Sequence, residues 1–323
     1  MQITVSRQDE SRAISENSQW GLQRRFEQGK LQINTTKFLG YDKDDNGNLI
    51  INEEQAKVVK RIYSDYLNGK GPNRIAKELE EEGVKNWNGL TKWYVSTVSK
   101  ILKNEKYKGD ALLQKTYTVD FLSKKRATNN GEVPRYYVED SHPGIIDKDM
   151  WEAVQLETER REAYAKKHGI IRLDYAKADN PLAGKVICGE CGSLMGRKVW
   201  NSTDKKLRRV IWQCNHKYEV KGKVLCENRH VDGNLLQAGI RRALSQITEN
   251  RESYRKKWGR GVQNQNPLKR HQAVQLLQFL VKIVEMENAE GEFSSIIGFV
   301  EVGLESLAVT LVDGTKIEMT IAK

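Results

Sequence analysis

The chain has 323 residues, enough for two or three domains each with its own core. Lys and Arg number 54 against 43 Asp and Glu, a formal charge of +11 that points to a polyanionic partner, nucleic acid first among them. The longest apolar stretch, Leu276 to Val284, is broken by Gln278 and Lys282, and the N-terminus lacks the apolar core of a secretory signal, so the expectation is a cytoplasmic chain without a membrane span.

The first predicted element is a helix over residues 6–30, ending at Gly29. Ile14, Trp20, Leu22 and Phe26 make a broken apolar stripe, and Arg24, Arg25 and Lys30 place positive charge at its exit. Next comes Asp42 to Glu53, DKDDNGNLIINE, which satisfies the calcium-loop pattern D-x-[DN]-x-[DN]-G-x5-E. A calcium loop of that kind needs a helix on each side. Residues 31–41 are rich in β-branched and aromatic types and read as a strand, and Ile50 is apolar where an oxygen ligand belongs. Asn46-Gly47 between two apolar runs is a strong hairpin signal, so a β-hairpin is expected here and no calcium.

Asn52 caps a predicted helix that runs to Leu67, with Val58, Val59, Ile62 and Tyr66 at helical spacing. Pro72 opens a short helix carrying Arg74. Thr91 is the expected cap of another over 91–102, with Val95, Val98, Ile101 and Leu102 toward a core. Lys92, Ser96, Thr97, Lys100 and Lys103 are left for its other face, together with Trp93 in its first turn. Two short helices around a turn resemble helix-turn-helix geometry, although the turn is longer than the usual three to four residues and two plain surface helices fit the same pattern. Residues 105–145 mix strand-like pieces with a basic loop, Lys124 to Gly131, that reads as a solvated turn. A charged helix over 147–167 and a weakly patterned polar stretch over 166–180 follow; the stretch is the expected domain boundary.

The four cysteines come next. Cys188-Gly-Glu-Cys191 is C-x2-C followed by Gly, Cys214 lies 22 residues further and Cys226 another 11 beyond. A tight C-x2-C turn aims two thiolates at one ion, and structural zinc takes four such ligands, so Cys188, Cys191, Cys214 and Cys226 are the expected zinc ligands. His216 or His230 could replace one of them, and redox chemistry of the C-x2-C pair is the rival reading. Arg197, Lys198, Arg208 and Arg209 crowd the ribbon between the second and third ligands; they could meet nucleic acid or simply be solvated. A helix is predicted over 231–258, with Leu236, Ile240, Ala243, Ile247 and Tyr254 near a/d spacing and Asn250 in one seam slot. Pro267 opens a second helix through about Glu287, giving an antiparallel pair, and the tail alternates around Asp313-Gly314 as β-hairpins.

These pieces, in this order, resemble the C-terminal part of the large serine recombinases, the phage-integrase and transposon-resolvase type. Glu10 to Gly21 resembles the long helix that leaves the catalytic domain, and Phe38-Leu-Gly-Tyr41 with the Glu53 to Gly69 segment resembles the start of the recombinase domain. Trp93 through Ile101-Leu102, Asn104, Tyr107 and Gly109 resembles that domain's W…IL-x-N-x-x-Y-x-G signature, His142-Pro-Gly-Ile-Ile146 with Trp151 its closing segment, and the cysteines its zinc ribbon.

The resemblance implies an α+β multidomain chain: a long N-terminal helix over 1–30, a mixed helical and β-hairpin DNA-binding domain over 31–165, a linker over 166–180, and a zinc β-ribbon domain over 181–323 with a helix pair inserted at 231–287. It implies sequence-specific binding of a duplex DNA recombination site during integration or excision of a mobile element, structural zinc, and self-association or pairing with an intact recombinase. The alternative is a catalytically dead repressor or dominant-negative partner. In the family a serine in a Y-x-R-x-S setting attacks the DNA phosphate; no such setting precedes Glu10, so strand cleavage by this chain alone is not expected. The implied DNA contacts are Arg24, Arg25, Lys30, Arg74, Lys92, Trp93, Ser96, Thr97, Lys100, Lys103, Arg197, Lys198, Arg208 and Arg209.

Overall fold

The computed structural model describes residues 2–28, 34–120, 123–170, 180–201, 203–285 and 292–321. The chain divides into two compact units, Met1–Tyr63 with Leu79–Trp151, and Ser64–Glu78 with Glu152–Lys323. No helix of the described residues is long and apolar enough to cross a membrane.

The elements run in order. Helix α1 spans Gln2–Glu27, strands β1 (Tyr41–Lys43) and β2 (Leu49–Ile51) follow, and then helices α2 (Glu53–Leu67), α3 (Pro72–Glu81) and α4 (Val95–Lys103). Short strands β3 (Ala111–Leu113), β4 (Thr116–Thr118), β5 (Arg126–Thr128) and β6 (Tyr136–Val138) precede helix α5 (Lys148–Lys167). Then come β7 (Val186–Cys188), β8 (Met195–Trp200), β9 (Arg209–Cys214) and β10 (Val231–Asp232), and helices α6 (Gly233–Glu249), α7 (Arg251–Gly261) and α8 (Pro267–Glu285). Strands β11 (Ile297–Val302), β12 (Ser306–Leu311) and β13 (Lys316–Thr320) close the order.

In the first unit the calcium-pattern segment is a β-hairpin: Tyr41, Asp42 and Lys43 pair with Ile51, Ile50 and Leu49. The acidic residues serve the turn. Asp44 accepts from the Asn46 and Asn48 backbone N–H groups and from the Asn48 amide at 3.0, 2.7 and 3.0 Å, and Gly47 takes the positive φ of +83° that the turn demands. Of the strand expected over 31–41, residues 31–33 lie outside the described residues and only Tyr41 of the rest belongs to a strand. The described part holds a 3-10 turn at Thr35–Lys37, because the Asn34 side chain accepts from the Thr36 N–H at 2.9 Å.

The core of this unit is built on three tyrosines whose hydroxyls satisfy backbone carbonyls. Tyr63 donates to Ile101 O at 2.9 Å, Tyr107 to Leu39 O at 3.1 Å and Tyr41 to Pro143 O at 2.8 Å. Each buries a ring and satisfies a polar group at once. Two of the family-like signatures meet here. Gly109 lies at φ +94°, where a Cβ would sit 2.7 Å from His142 O, and a Cβ on Gly144 would sit 2.8 Å from the Lys108 carbonyl carbon. Only glycine lets Tyr107-Lys-Gly109 press against His142-Pro-Gly144.

Asp110 locks the same region. It is 2% exposed and accepts from the Tyr137 hydroxyl, from the Asp140 N–H at 3.0 Å and from Lys108 at 3.0 Å. Burial pushes its pKa up, but the donors outweigh burial and bring the carboxyl to about 2. The folded pKa is below the unfolded one, so the stabilisation is full above about pH 3.9 and is lost as pH falls toward 2. Asp110→Ala is expected to lose about 2–3 kcal/mol at pH 7 and to flatten the acid limb between pH 4 and 2, as read from urea midpoints across that range. An unchanged acid limb would assign it to other carboxylates.

In the second unit the sheet order is β13-β12-β11-β7, antiparallel except that β7 runs parallel to β11 with Cys188 opposite Val302. A separate three-stranded sheet, β10-β9-β8, is the ribbon. Helix α6 lies against β12, where Gly239 leaves room for Leu307. Leu236, Ile240, Ala243 and Ile247 are buried as their spacing predicted. The single helix expected over 231–258 is two helices, α6 and α7. Asn250 is not a seam residue but the break, with φ −104° and ψ 27°. The break re-aims α7 so that Trp258, 2% exposed, can donate its indole N–H to Asp313 at 2.9 Å.

Candidate metal centre and nucleic-acid interface

The four cysteines come together from two sheets and a loop. Cys188 ends β7, Cys191 follows in the knuckle, Cys214 ends β9 and Cys226 sits in the segment before β10. The knuckle turns tightly because Cys188 O accepts from Gly192 N–H at 2.8 Å and Cys188 N–H donates to Ser193 O at 2.8 Å. All four Sγ atoms lie within 4.8 Å of one another, with Cys188 and Cys226 3.6 Å apart and Cys191 and Cys214 3.4 Å apart. Zinc–sulfur bonds of about 2.3 Å in a tetrahedron set the sulfurs about 3.8 Å apart, so the donor set fits a closed tetrahedral ion. The two histidine substitutes are elsewhere: His216 Nδ1 pairs with Glu219 at 2.7 Å and the His230 ring lies 4.5 Å from that of Trp200.

The thiols shift one another. Burial opposes ionisation of Cys191, yet hydrogen bonds from Ser193 and the neighbouring thiols draw it down to about 7. Cys214 and Cys226 are pushed up, first by burial and then by the adjacent sulfurs. Four thiols this close cannot all ionise without a positive ion among them.

Asn228 was not singled out in the sequence. It is 0% exposed, and its amide donates to Cys188 Sγ at 3.0 Å and to Val302 O at 2.6 Å, bracketing the first ligand to β11. The signal available was a polar residue two positions after the last cysteine, which by itself is weak.

The expected DNA contacts fall into separate groups. Ser96, Lys100 and Lys103 recur at i, i+4, i+7 on α4 and are exposed, with Thr97 half-buried beside them. Trp93 is different: it is 4% exposed and its indole donates to Val84 O at 2.8 Å, so it is a core residue and no DNA contact. The same anchor explains why α4 starts at Val95 and not at Thr91. Trp93 and the Asn86 amide, which donates to Lys92 O at 2.9 Å, hold residues 91–94 extended. Lys92 is tied to Glu80 at 2.8 Å and Arg74 to Glu78 at 2.7 Å. Arg24 and Arg25 lie exposed in the last turn of α1, with the Arg24 guanidinium 4.6 Å over Trp20; Lys30 lies outside the described residues. On the ribbon, the register pairs Trp200 with Arg209 and Lys198 with Ile211, so Lys198, Trp200 and Arg209 share one face and Arg197 points to the other. Arg209 stacks over Trp200 at 4.9 Å, Lys198 donates to Gln213 at 2.6 Å, and Arg208 is exposed just ahead of β9.

Residues 53–161 match the family described as Recombinase, and residues 181–245 match the Recombinase zinc beta ribbon domain; together the two matches take in more than half of the chain. A curated relative from Bacillus subtilis (strain 168), "Putative DNA recombinase", is 29% identical over 250 residues, which are 70% of this chain and 48% of the relative. The chain therefore spans about half the length of that relative. Among solved structures, "Crystal Structure of a LSR-DNA Complex" is 18% identical with a TM-score of 0.49, covering 92% of this chain and 97% of its own. "Sequence Requirements of the Listeria innocua prophage attP site" is 19% identical with a TM-score of 0.45, covering 91% and 98%. The chain belongs to the recombinase family, as its motifs implied.

Proposed function

We propose that this chain binds duplex DNA sequence-specifically, as the recognition part of a serine site-specific recombinase that integrates or excises a mobile element. The observation that carries the reading is the four-thiol centre in a recombinase zinc ribbon, beside a strand pair whose one face holds Lys198, Trp200 and Arg209. A closed zinc site gives rigidity and no open coordination position, which suits a ribbon that positions cations and does no chemistry itself. The ion held there is zinc, and its ligands are Cys188, Cys191, Cys214 and Cys226.

In this reading α4 enters the major groove with Ser96, Thr97, Lys100 and Lys103, α1 runs along the backbone with Arg24, Arg25 and Lys30 near phosphates, and the ribbon reads a second segment of the half-site. Residues 31–165 form the DNA-binding domain, 166–180 the linker and 181–323 the zinc domain. The protein works in the cytoplasm on a duplex recombination site, with a second copy on the other half-site.

The test is a salt titration of binding to duplexes selected from a random library, with zinc and again after chelation. One selected sequence should be preferred, log affinity should fall linearly with log salt at about 0.9 per phosphate contacted, and chelation should shorten the footprint. Equal binding of all duplexes, indifferent to chelation, would overturn the reading.

A further inference from the structure

Strands β4 and β5 form a two-stranded sheet that no third strand joins among the described residues, with Thr116, Tyr117 and Thr118 opposite Thr128, Ala127 and Arg126. Such a pair is marginal in water unless something holds it. What holds this one is its base. Asn129 is 2% exposed; its N–H donates to Lys115 O at 2.9 Å and its amide to Gln114 O and Val133 O at 2.9 and 2.8 Å. The ladder continues outward with Val119 N–H to Lys125 O at 2.8 Å.

The two faces differ. Tyr117 and Ala127 are half-buried on one side. On the other, Thr116, Thr118, Arg126 and Thr128 are all hydrogen-bonding side chains; Thr118 is half-buried and the rest are exposed. Arg126 Nη2 donates to Thr116 Oγ1 at 2.7 Å, which ties the exposed guanidinium to this face and leaves most of its five donors uncommitted. Next to it, Lys124 and Lys125 are exposed and form no ion pair among the described residues. Lys92 and Lys115 of the same unit are paired, with Glu80 and Glu105, whereas the exposed Lys43, Lys60 and Lys100 likewise form no ion pair among the described residues. A solvated turn accounts for the charge, but not for an all-polar face with a tethered arginine opposite one where Tyr117 and Ala127 are half-buried.

We propose that the β4–β5 ribbon is a further DNA-contact element, entering the major groove with Arg126 on a base edge and Lys124 and Lys125 on phosphates. The major groove admits a two-stranded ribbon, and a planar guanidinium there matches guanine O6 and N7. The partner is the duplex of the proposed function, on which this inference rests.

The experiment uses the full chain and a duplex selected by it from a random library. Lys124→Gln with Lys125→Gln should weaken all duplexes evenly and lower the salt slope by about 1.8. Arg126→Ala should lower affinity about 10- to 100-fold for the selected duplex and erase the preference at one G·C pair. Replacing that guanine by 7-deazaguanine should cost the parent protein affinity and leave the Arg126→Ala protein unaffected. All three side chains are exposed, so unchanged melting and zinc content will show that the fold is intact. If a duplex is selected but slope, affinity and preferences survive both variants, the ribbon is a solvated turn and the inference is wrong, while the DNA-binding reading stands. If no duplex is preferred by the parent chain, both fall together.

Discussion

Cys214→Ser, or a strong chelator at neutral pH, is expected to open residues 186–232 while the helices around Trp258 stay folded. Structural zinc contributes about 10–16 kcal/mol of apparent binding in zinc-finger peptides, more than the whole stability of most domains. Without it, four sulfurs within 4.8 Å face one another with no bond to hold the knuckle, β9 and the Cys226 segment together. Hydrogen exchange resolved along the chain is the measurement. Protection should collapse in β8 and β9 and persist in α8, whose Leu276 and Phe279 are packed in the apolar core of the unit. Zinc-free protein with an unchanged exchange pattern would remove the metal from the account.

The second large effect is predicted at Glu157, on α5. It is 4% exposed and accepts a bidentate pair from Arg160 at 2.7 and 2.8 Å and a further bond from Arg161 at 2.6 Å. Burial raises its pKa, but the two guanidinium groups win and hold it below the usual carboxylate range. Arg161 also donates to Lys70 O and Tyr66 O at 2.9 and 2.8 Å and lies 4.1 Å over the Tyr66 ring. Glu157→Ala would leave two partly buried cations uncompensated beside Lys185, whose pKa burial and these same arginines already bring down to about 7. The expected cost is about 3–5 kcal/mol, because breaking one side of a buried pair is dearer than the pair itself is worth. Urea unfolding of the variant checks this, and a loss below 1 kcal/mol would mean that solvent reaches the cluster.

Much of this was legible because it is local. The Asn46-Gly47 turn, the Asp313-Gly314 turn and the periodic residues of α6 each carry their instruction within a few positions. The cysteines were legible because a C-x2-C turn aims two thiolates at one ion and the chain holds two further cysteines to complete a set of four. The start of α4 was not, since its capping pattern at Thr91 is overruled by the burial of Trp93 two residues on, anchored to Val84 further back in the chain. Nor was the break at Asn250, which serves the Trp258 to Asp313 bond. The basic loop over 124–131 reads as a solvated turn in the sequence, because sidedness appears only once the register of Thr116–Thr118 with Arg126–Thr128 is known. The parallel pairing of β7 with β11 has no sequence signature, being set by what lies between.

That pairing has a consequence for how the protein is made. The strand that ends in Cys188 has its neighbour at Val300 to Val302. Synthesis at the usual rate takes on the order of 5–20 s to add the roughly one hundred residues between them. Through that interval the nascent knuckle lacks the sheet that Asn228 ties it to, and long-range parallel pairing is intrinsically slow to form. Its thiols wait without the shelter of that sheet, so a metal ion captured early would hold the knuckle before its neighbouring strand exists.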